Sequence, residues 1–409
     1  DIMSTGFSLG LTASANVVAA ASGIGAGGAA AYSLSNLSWS GDAYQHLKLN
    51  YAGDDSSGQP VWFVAMKSNG NHEGMLIKHN NDSTITQSAV KVFKNSDERF
   101  SCIGSVGYDT SGNLIAVSNG LWRTGGVIYA DLYVNTIDLD NCTLGTTYGT
   151  SDWTAEQSNA GLAYITYAGN GRFIPGFRRT GIKTAVATVG TSSVSFSSEQ
   201  QHSTNIGDGV YQGIEAFPYQ SDTDYRYTYF NGNGNQQGVG WFATNTAQGE
   251  DSDDVLTVGL TQTYGYPLSA TSYLTVATKT GTAKMTGATV SWPASGAPTQ
   301  TVGSETAFTD SSSWNGAWAG GVDLGTSTFY ALHDDTTHGW NIAPITLSGT
   351  TPSNGTRIDV EQDVTTTNWH IGYMSQNSPI ANSTQGKLFS AVIDDTGSSA
   401  PLFFIKELS

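Results

Sequence analysis

Residues 160–204 read AGLAYITYAGNGRFIPGFRRTGIKTAVATVGTSSVSFSSEQQHST. Strand-favouring residues come here in short runs, broken at Gly169, Asn170 and Gly171, at Arg178–Gly181 and at Gly190–Ser192, where glycine and small polar residues make turns. Four successive strands are expected: A over Gly161–Ala168, B over Arg172–Phe177, C over Ile182–Val189 and D over Val194–Ser198. Strand C alternates best, with Ala185, Ala187 and Val189 on one face and Thr184, Val186 and Thr188 on the other. An antiparallel meander of about 50 residues cannot cover both of its own faces, so it is expected to be one unit of an array.

The same order of strands recurs along the chain from starts near residues 43, 101, 160, 211, 255, 316 and 369. In the fourth unit the place of strand D falls in the acidic run Gly249–Asp254, so that strand is expected to be short or absent. In the fifth it is expected near Trp292, interrupted by proline. The last unit ends after its strand C, Pro401–Ile405, and lacks an outer strand. The segment Ala31–Ser40, AYSLSNLSWS, can supply it, because Tyr32, Leu34 and Leu37 alternate imperfectly with Ser33, Ser35 and Ser38. Pairing the two ends of the chain in this way would remove two free sheet edges. The expected fold is therefore all-β: a seven-bladed β-propeller of four-stranded antiparallel blades, one domain over residues 31–409 closed by an N-terminal strand. Residues 1–30, rich in Ala, Gly and Ser, form an extended N-terminal arm in this reading. Its isolated Phe7, Leu9 and Leu11 cannot make a core, so the arm is expected to order only when docked on a neighbouring subunit or partner. A flexible leader is the plain alternative.

Composition supports short strands with glycine turns: of 409 residues 49 are Gly and 10 Pro, with 38% hydrophobic and 12% charged. The formal net charge of −17 argues against a nucleic-acid partner, which needs a basic footprint. Leu11–Ala31 is apolar but built from Ala, Gly and Ser around Asn16, without the large side chains of a membrane-spanning helix. Cys102 and Cys142 are the only cysteines, too few for a disulfide scaffold or a structural zinc site. They fall on opposite edges of one unit, either as a bridge or as two buried thiols.

Signals for catalysis or metal binding are weak. The Ser-x-Asp-x-Gly-x-x-Trp turn of sialidases is absent, and Leu332–Trp340 has Asp, Gly and Trp at the wrong spacing. His333 and His338 flank two aspartates as in a polar loop, and Glu250–Asp254 lacks the glycine and terminal glutamate of a calcium loop. No phosphate loop or nucleophile elbow occurs. No catalytic residue, metal or cofactor is expected.

The turns between strands B and C carry His72, Trp122, Arg123, Arg178, Arg179, Asn231, Asn233, Asn235, Asp334, Asp335 and His338, an unusual share of the chain's basic and ring-bearing residues. The A-to-B turns carry Asp54, Asp55, Asp109, Asp222 and Asp224. Interface energy concentrates on aromatic and arginine side chains, so Trp122, Arg123, Arg178, Arg179 and His338 are expected to contact a partner or glycan. The bland alternative is that each pairs locally with a loop carboxylate.

The run GIKTAVATVGTSSVSFSS (Gly181–Ser198), preceded by an A strand and a short B strand, resembles the repeats of β-propeller modules in bacteriophage tail and virion attachment proteins. YDTSGNLIAV (Tyr108–Val117) is similar to the A-to-B turn of those repeats, and the resemblance is clearest over residues 101–204. It implies a non-enzymatic virion surface or structural protein, tail fibre, tail-associated or capsid-decorating, used in assembly or host attachment. Its implied partners are other virion proteins, copies of itself through the arm, and a host-surface glycan. A secreted glycan-binding lectin is the alternative, and it predicts aromatic and amide side chains at equivalent turns of several units. A glycoside hydrolase would need two carboxyl groups facing each other across a cleft.

Overall fold

The computed structural model describes residues 31–33, 48–68, 71–80, 85–94, 98–157, 163–178, 182–197, 199–201, 215–216, 224–231, 236–243, 246–253, 260–279, 284–294, 299–307, 328–335, 339–354, 358–361, 369–370, 380–382, 387–394 and 402–407. Every regular element among them is a β-strand. Among the described residues no helix is long and apolar enough to cross a membrane.

After β1 (Ala31–Ser33), the first sheet holds β2 (Lys48–Asp54), β3 (Pro60–Ser68), β4 (Asn71–His79), β5 (Ile85–Gln87) and β6 (Lys91–Lys94). The second holds β7 (Glu98–Tyr108), β8 (Leu114–Thr124), β9 (Val127–Asp138), β10 (Thr143–Leu144) and β11 (Tyr148–Gln157). The third holds β12 (Ala163–Gly169), β13 (Arg172–Arg178), β14 (Ile182–Thr184), β15 (Ala187–Val189), β16 (Val194–Phe196) and β17 (Gln200–Gln201). The fourth is β18 (Glu215–Ala216), β19 (Asp224–Asn231), β20 (Gln236–Ala243) and β21 (Thr246–Asp253). The fifth is β22 (Leu260–Ser269), β23 (Ser272–Lys279), β24 (Lys284–Ser291), β25 (Thr301–Val302) and β26 (Thr306–Ala307). The sixth is β27 (Thr328–Asp335), β28 (Gly339–Ser348), β29 (Thr351–Asn354) and β30 (Ile358–Glu361). The last joins β31 (Trp369–His370), β32 (Ile380–Asn382), β33 (Lys387–Asp394) and β34 (Leu402–Glu407) to β1.

All pairings are antiparallel, and the long strands of each sheet pair in chain order, as expected from the spacing of the turns, while β1 joins β34 from the other end of the chain. The turn Asn170–Gly171 shows why: both residues have positive φ, 47° and 71°, the two-residue hairpin geometry that matches strand twist and that Asn-Gly adopts readily. The outer strand is commonly split in two, as in β5 and β6 on β4, β10 and β11 on β9, and β29 and β30 on β28. A bulged or broken outer strand increases local twist and blunts an edge.

Successive sheets lie side by side: β3 beside β7, β7 beside β12, β12 beside β18, β18 beside β22 and β24 beside β29. Strand β2 also lies beside β32 and β33 of the last sheet. The core is consequently between sheets. Val61, Trp62, Phe63, Val64 and Ala65 of β3 are all buried, so both faces of that strand are covered, which explains its unbroken apolar run. Phe63 packs on Gly104 of β7, and Tyr167 of β12 packs on Gly107, each ring occupying the space that a Cβ would need. Gly104 and Gly107 point to opposite faces of β7, so the second sheet receives one ring from each neighbour. Asn50 donates to the Gly104 carbonyl at 3.0 Å, and Asn119 to the carbonyls of Tyr164 and Gly176 at 2.9 and 2.8 Å.

Three expectations need correction. The fourth sheet has a full outer strand, β21, with Glu250, Asp251 and Asp253 paired in register with Gly240, Val239 and Gln237; an edge strand tolerates charge because one side stays solvated. The outer strand of the fifth sheet is not at Trp292, which is buried against Tyr273 and donates its backbone N–H to Thr271; the ladder resumes at Thr301. The expected strand C of the third sheet is interrupted at Ala185 and Val186, both buried. Pro175 lies opposite and has no N–H to give, so its carbonyl accepts from Ala185 while Val186 turns to Ser197. At the chain ends, Ala31, Tyr32 and Ser33 pair with Lys406, Ile405 and Phe404, the position expected for the added strand. Leu34, Leu37 and the arm with Phe7, Leu9 and Leu11 lie outside the described residues.

The fit of Phe63 on Gly104 is directly testable. Gly104→Ala should lower stability by about 1–3 kcal/mol through overpacking, and Phe63→Leu in the same chain should recover part of that loss. Denaturant unfolding of the four members of this cycle checks it; strictly additive effects would show that the two residues do not pack together.

Candidate interaction site

The second-to-third-strand end of the first two sheets gathers a half-buried aromatic and basic cluster. Trp122, near the end of β8, stacks on Tyr129 of β9 with ring centroids 4.6 Å apart. Lys94, at the end of β6 in the neighbouring sheet, places its Nζ 3.2 Å from the centre of the Trp122 ring, a cation–π contact. With an ammonium and a phenol ring at these distances, both faces of the indole are occupied. Lys94 also pairs with Asp131 at 2.7 Å, and Asp131 is otherwise buried.

The cluster continues inward through hydrogen bonds. Tyr133 Oη lies 3.1 Å from Asp131 Oδ2 and 3.2 Å from His72 Nδ1. His72 Nε2 lies 3.0 Å from the Leu121 carbonyl, so this nitrogen carries a proton. Tyr133 donates its one hydrogen to Asp131, and the same hydroxyl oxygen lies against His72 Nδ1. Phe93 stacks on Tyr133 at 5.4 Å, and Gly120 leaves the space His72 fills.

Sequence reasoning placed His72 on the binding turns; the structure buries it completely between the first two sheets. Trp122 and Arg123 are half-buried at the expected end of β8, with Arg123 opposite Glu98 in register. Arg178 ends β13 at the corresponding place in the third sheet. Its side chain, and Arg179 and His338 entirely, lie outside the described residues. Lys94, Tyr129, Asp131 and Tyr133 were missed. The spacing of Tyr129, Asp131 and Tyr133 at every second residue puts them on one face of β9, and only the packing of two sheets brings Lys94 over that face.

At the opposite end the carboxylates serve the turns. Asp55 Oδ1 accepts from Ser57 N at 2.9 Å and Gln59 N at 2.8 Å. Asp109 repeats this with Ser111 N at 2.8 Å and Asn113 N at 2.9 Å. Asp-Ser-Ser-Gly-Gln and Asp-Thr-Ser-Gly-Asn are thus one turn used twice, with the Asp side chain replacing missing backbone partners. Lys78 ties Asp55 at 3.1 Å to the Asp140 carbonyl at 2.8 Å in the second sheet, and Ser56 N donates to Asp140 Oδ1 at 2.7 Å. Burial works to raise the Asp55 carboxyl, but hydrogen bonds from Gln59, Lys78 and Ser57 outweigh it and hold the group below its ordinary value. Asp138 is held low mainly by the side chain and backbone of Asn141. Cys102 and Cys142 are free, buried thiols; burial pushes Cys102 up strongly and Cys142 up to about 11. Among the described residues no His, Cys, Asp and Glu cluster could hold a metal.

No protein-family profile matches the sequence, and no curated protein matches it. Similar solved structures include the Vanderwaltozyma polyspora Nup133 β-propeller domain, at 10% identity and TM-score 0.47, covering 92% of this chain and 97% of that one. A fucose-specific lectin from Aleuria aurantia is similar at 10% identity and TM-score 0.42, over 78% of this chain and 98% of the lectin. The NanB sialidase from Streptococcus pneumoniae is similar at 11% identity and TM-score 0.45, over 90% of this chain and 69% of the sialidase. None of these three is a bacteriophage protein, and similarity at this level carries no information about ligand or activity.

Asp55→Asn should lower stability at neutral pH by about 1–2 kcal/mol, the scale of lost hydrogen bonds to a charged group. Because folding depresses the Asp55 value, its contribution is fully present above the ordinary carboxylate range and disappears as pH falls through the depressed value. Unfolding curves of the two proteins should therefore converge in acid; a difference that stays constant with pH would overturn this account of the turn.

Proposed function

We propose that this chain is a non-enzymatic seven-bladed β-propeller, closed by β1 and used for recognition. It would act as a virion surface component in assembly or host attachment. The observation that carries the recognition reading is the half-buried Lys94–Trp122–Tyr129 stack. It stands beside Arg123 at the end where second strands hand over to third strands. At the other end the described carboxylates of Asp55 and Asp109 are committed to their own turns, which leaves that end the poorer interface. The virion setting rests on the repeat resemblance over residues 101–204. The secreted lectin is the second reading, favoured by the half-buried aromatic pair. A neutral sugar, however, would find both faces of Trp122 already occupied.

Closure is tested by two truncations. Removing residues 1–30 should leave thermal stability unchanged, while removing residues 1–33 should lower it by about 1–3 kcal/mol, because the β1 ladder on β34 is lost and a sheet edge opens. Equal stability of the two would mean that the ends do not close a ring.

The functional setting is tested by mass spectrometry of purified virus particles from the source sample. The chain should be present at stoichiometric copy number; its occurrence only in the particle-free fraction would overturn the virion reading. In such particles Trp122→Phe and Arg179→Ala should weaken incorporation or adsorption, and Asp54→Ala and Asp222→Ala should not. The reverse ranking would place the interface at the other end.

A further inference from the structure

We infer that the first-to-second-strand end of the second and third sheets binds a neutral glycan, with Tyr108 as the ring on which a sugar stacks. This site is separate from the interface assigned to the opposite end and does not rest on it. Among the residues whose side chains are described, Tyr108 is the only exposed aromatic, at 37%. A lone exposed ring is ordinary on a protein surface; the surroundings of this one give it a role. Tyr108 ends β7 and meets Tyr167 of β12 edge-on, with centroids 6.4 Å apart and planes at 61°. Tyr167 in turn packs on buried Phe173 at 4.9 Å. The exposed ring thus stands over the seam between two sheets, on an aromatic base that fixes its place.

The turns around it are held from both sheets. Thr110 of the 109–113 turn donates its backbone N–H to the Val189 carbonyl at 2.9 Å, and Val189 N donates to the Gly171 carbonyl at 2.8 Å. Thr110 also lies against Gly171, where a Cβ would collide with it. Tyr148 of β11 donates its hydroxyl to the Gly190 carbonyl at 2.7 Å, and Gly190 N closes its own turn on the Ser193 carbonyl at 2.8 Å. The turns at 109–113, 170–171 and 190–193 are in this way one preorganised surface, which lowers the ordering cost of binding.

That surface is neutral and rich in groups that both donate and accept. Thr110, Ser111, Asn113, Asn170, Thr191 and Ser192 are all exposed. Asp109 is buried, and its carboxylate takes Ser111 N, Asn113 N and Asn113 Nδ2 at 2.8, 2.9 and 2.7 Å. The other charge in residues 108–113, 169–172 and 189–194 is Arg172, whose Nη1 donates to the Asn170 carbonyl at 2.9 Å, so the two formal charges cancel. A polyanion or a basic peptide finds no net charge to pair with here. A protein partner draws on several aromatic and apolar anchors, and this surface offers a single ring. A sugar differs from both, because its C–H face stacks on an aromatic ring and its hydroxyls donate and accept as Ser, Thr and Asn side chains do. The commitment of Asp109 to its turn, which makes this end a poor protein interface, is what leaves it neutral enough for a sugar. Trp122, enclosed by Lys94 and Tyr129, has no open face for that purpose.

The test probes an array of neutral oligosaccharides of glucose, galactose, mannose and N-acetylglucosamine with the full chain, with sialylated and sulfated glycans as comparators. At least one neutral glycan should bind, and its affinity should change little with salt, because no ion pair forms. Tyr108→Ala should lose about tenfold or more in affinity, whereas Tyr108→Phe, which keeps the ring, should stay within about threefold. Thr191→Ala/Ser192→Ala should lose about threefold or more through missing hydrogen bonds. Circular dichroism and thermal unfolding check each variant, and Trp122→Phe should bind as the parent does. Failure of every neutral glycan to bind, or tighter binding of a sialylated or sulfated one, overturns the inference. So does equal binding by Tyr108→Ala, or by the double variant where Tyr108→Ala does not fold. Loss of binding in Trp122→Phe alone would also overturn it, by moving the glycan to the opposite end, and would leave the recognition reading standing. Tyr108-dependent binding by a chain absent from virus particles would uphold this site and remove the virion setting alone.

Discussion

Everything in this protein depends on covering both faces of each sheet with the next sheet. A single meander has no layer of its own to bury against, so its stability is shared with its neighbours. The second sheet shows how closely they approach. Phe63 enters over Gly104, His72 over Gly120 and Tyr167 over Gly107, so rings arrive from both sides where the backbone has no side chain. Burying an aromatic ring is worth about 2–3 kcal/mol, and these glycines let the sheets come close enough to gain it. The polar cost is met in the same seam, where Asn50 and Asn119 give their amide hydrogens to carbonyls of the adjacent sheet. Replacing either would strand buried carbonyls, which costs more than a hydrogen bond gains.

That packing also separates the chemistry of the two ends. At the first-to-second-strand end, the Asp55 and Asp109 carboxylates are consumed in holding their turns, and Lys78 locks the first sheet to the 138–141 turn of the second. At the opposite end the hairpins are short and rich in glycine and hydroxyl residues. Asp131, a buried charge at that end, is matched by Lys94 and hydrogen-bonded by Tyr133. A rigid network beneath a sparsely decorated rim suits recognition that must not deform the scaffold.

The sequence by itself determined the all-β character, the strand order inside each sheet and the position of most turns. These are local matters: Asn170–Gly171 suits a tight hairpin turn, and strand-favouring runs between such turns mark the strands. It also located the Asp-x-Ser-Gly turns and marked Ala31–Ser40 as the segment that would meet the last sheet, of which Ala31–Ser33 pairs with Phe404–Lys406. Tertiary structure alone decided which polar residues are tools and which are mortar. His72 looked like a turn residue and is a buried strut, because its neighbour in space is Gly120, 48 positions away in the sequence. The acidic run in β21 looked like a loop and is an edge strand, because an edge strand leaves charge in water. Lys94 carried no signal beside Trp122, since the two meet only after separate sheets dock. Turn chemistry is written within a few residues, whereas the partners of a side chain on a sheet face belong to another sheet, and nothing in the local sequence names them.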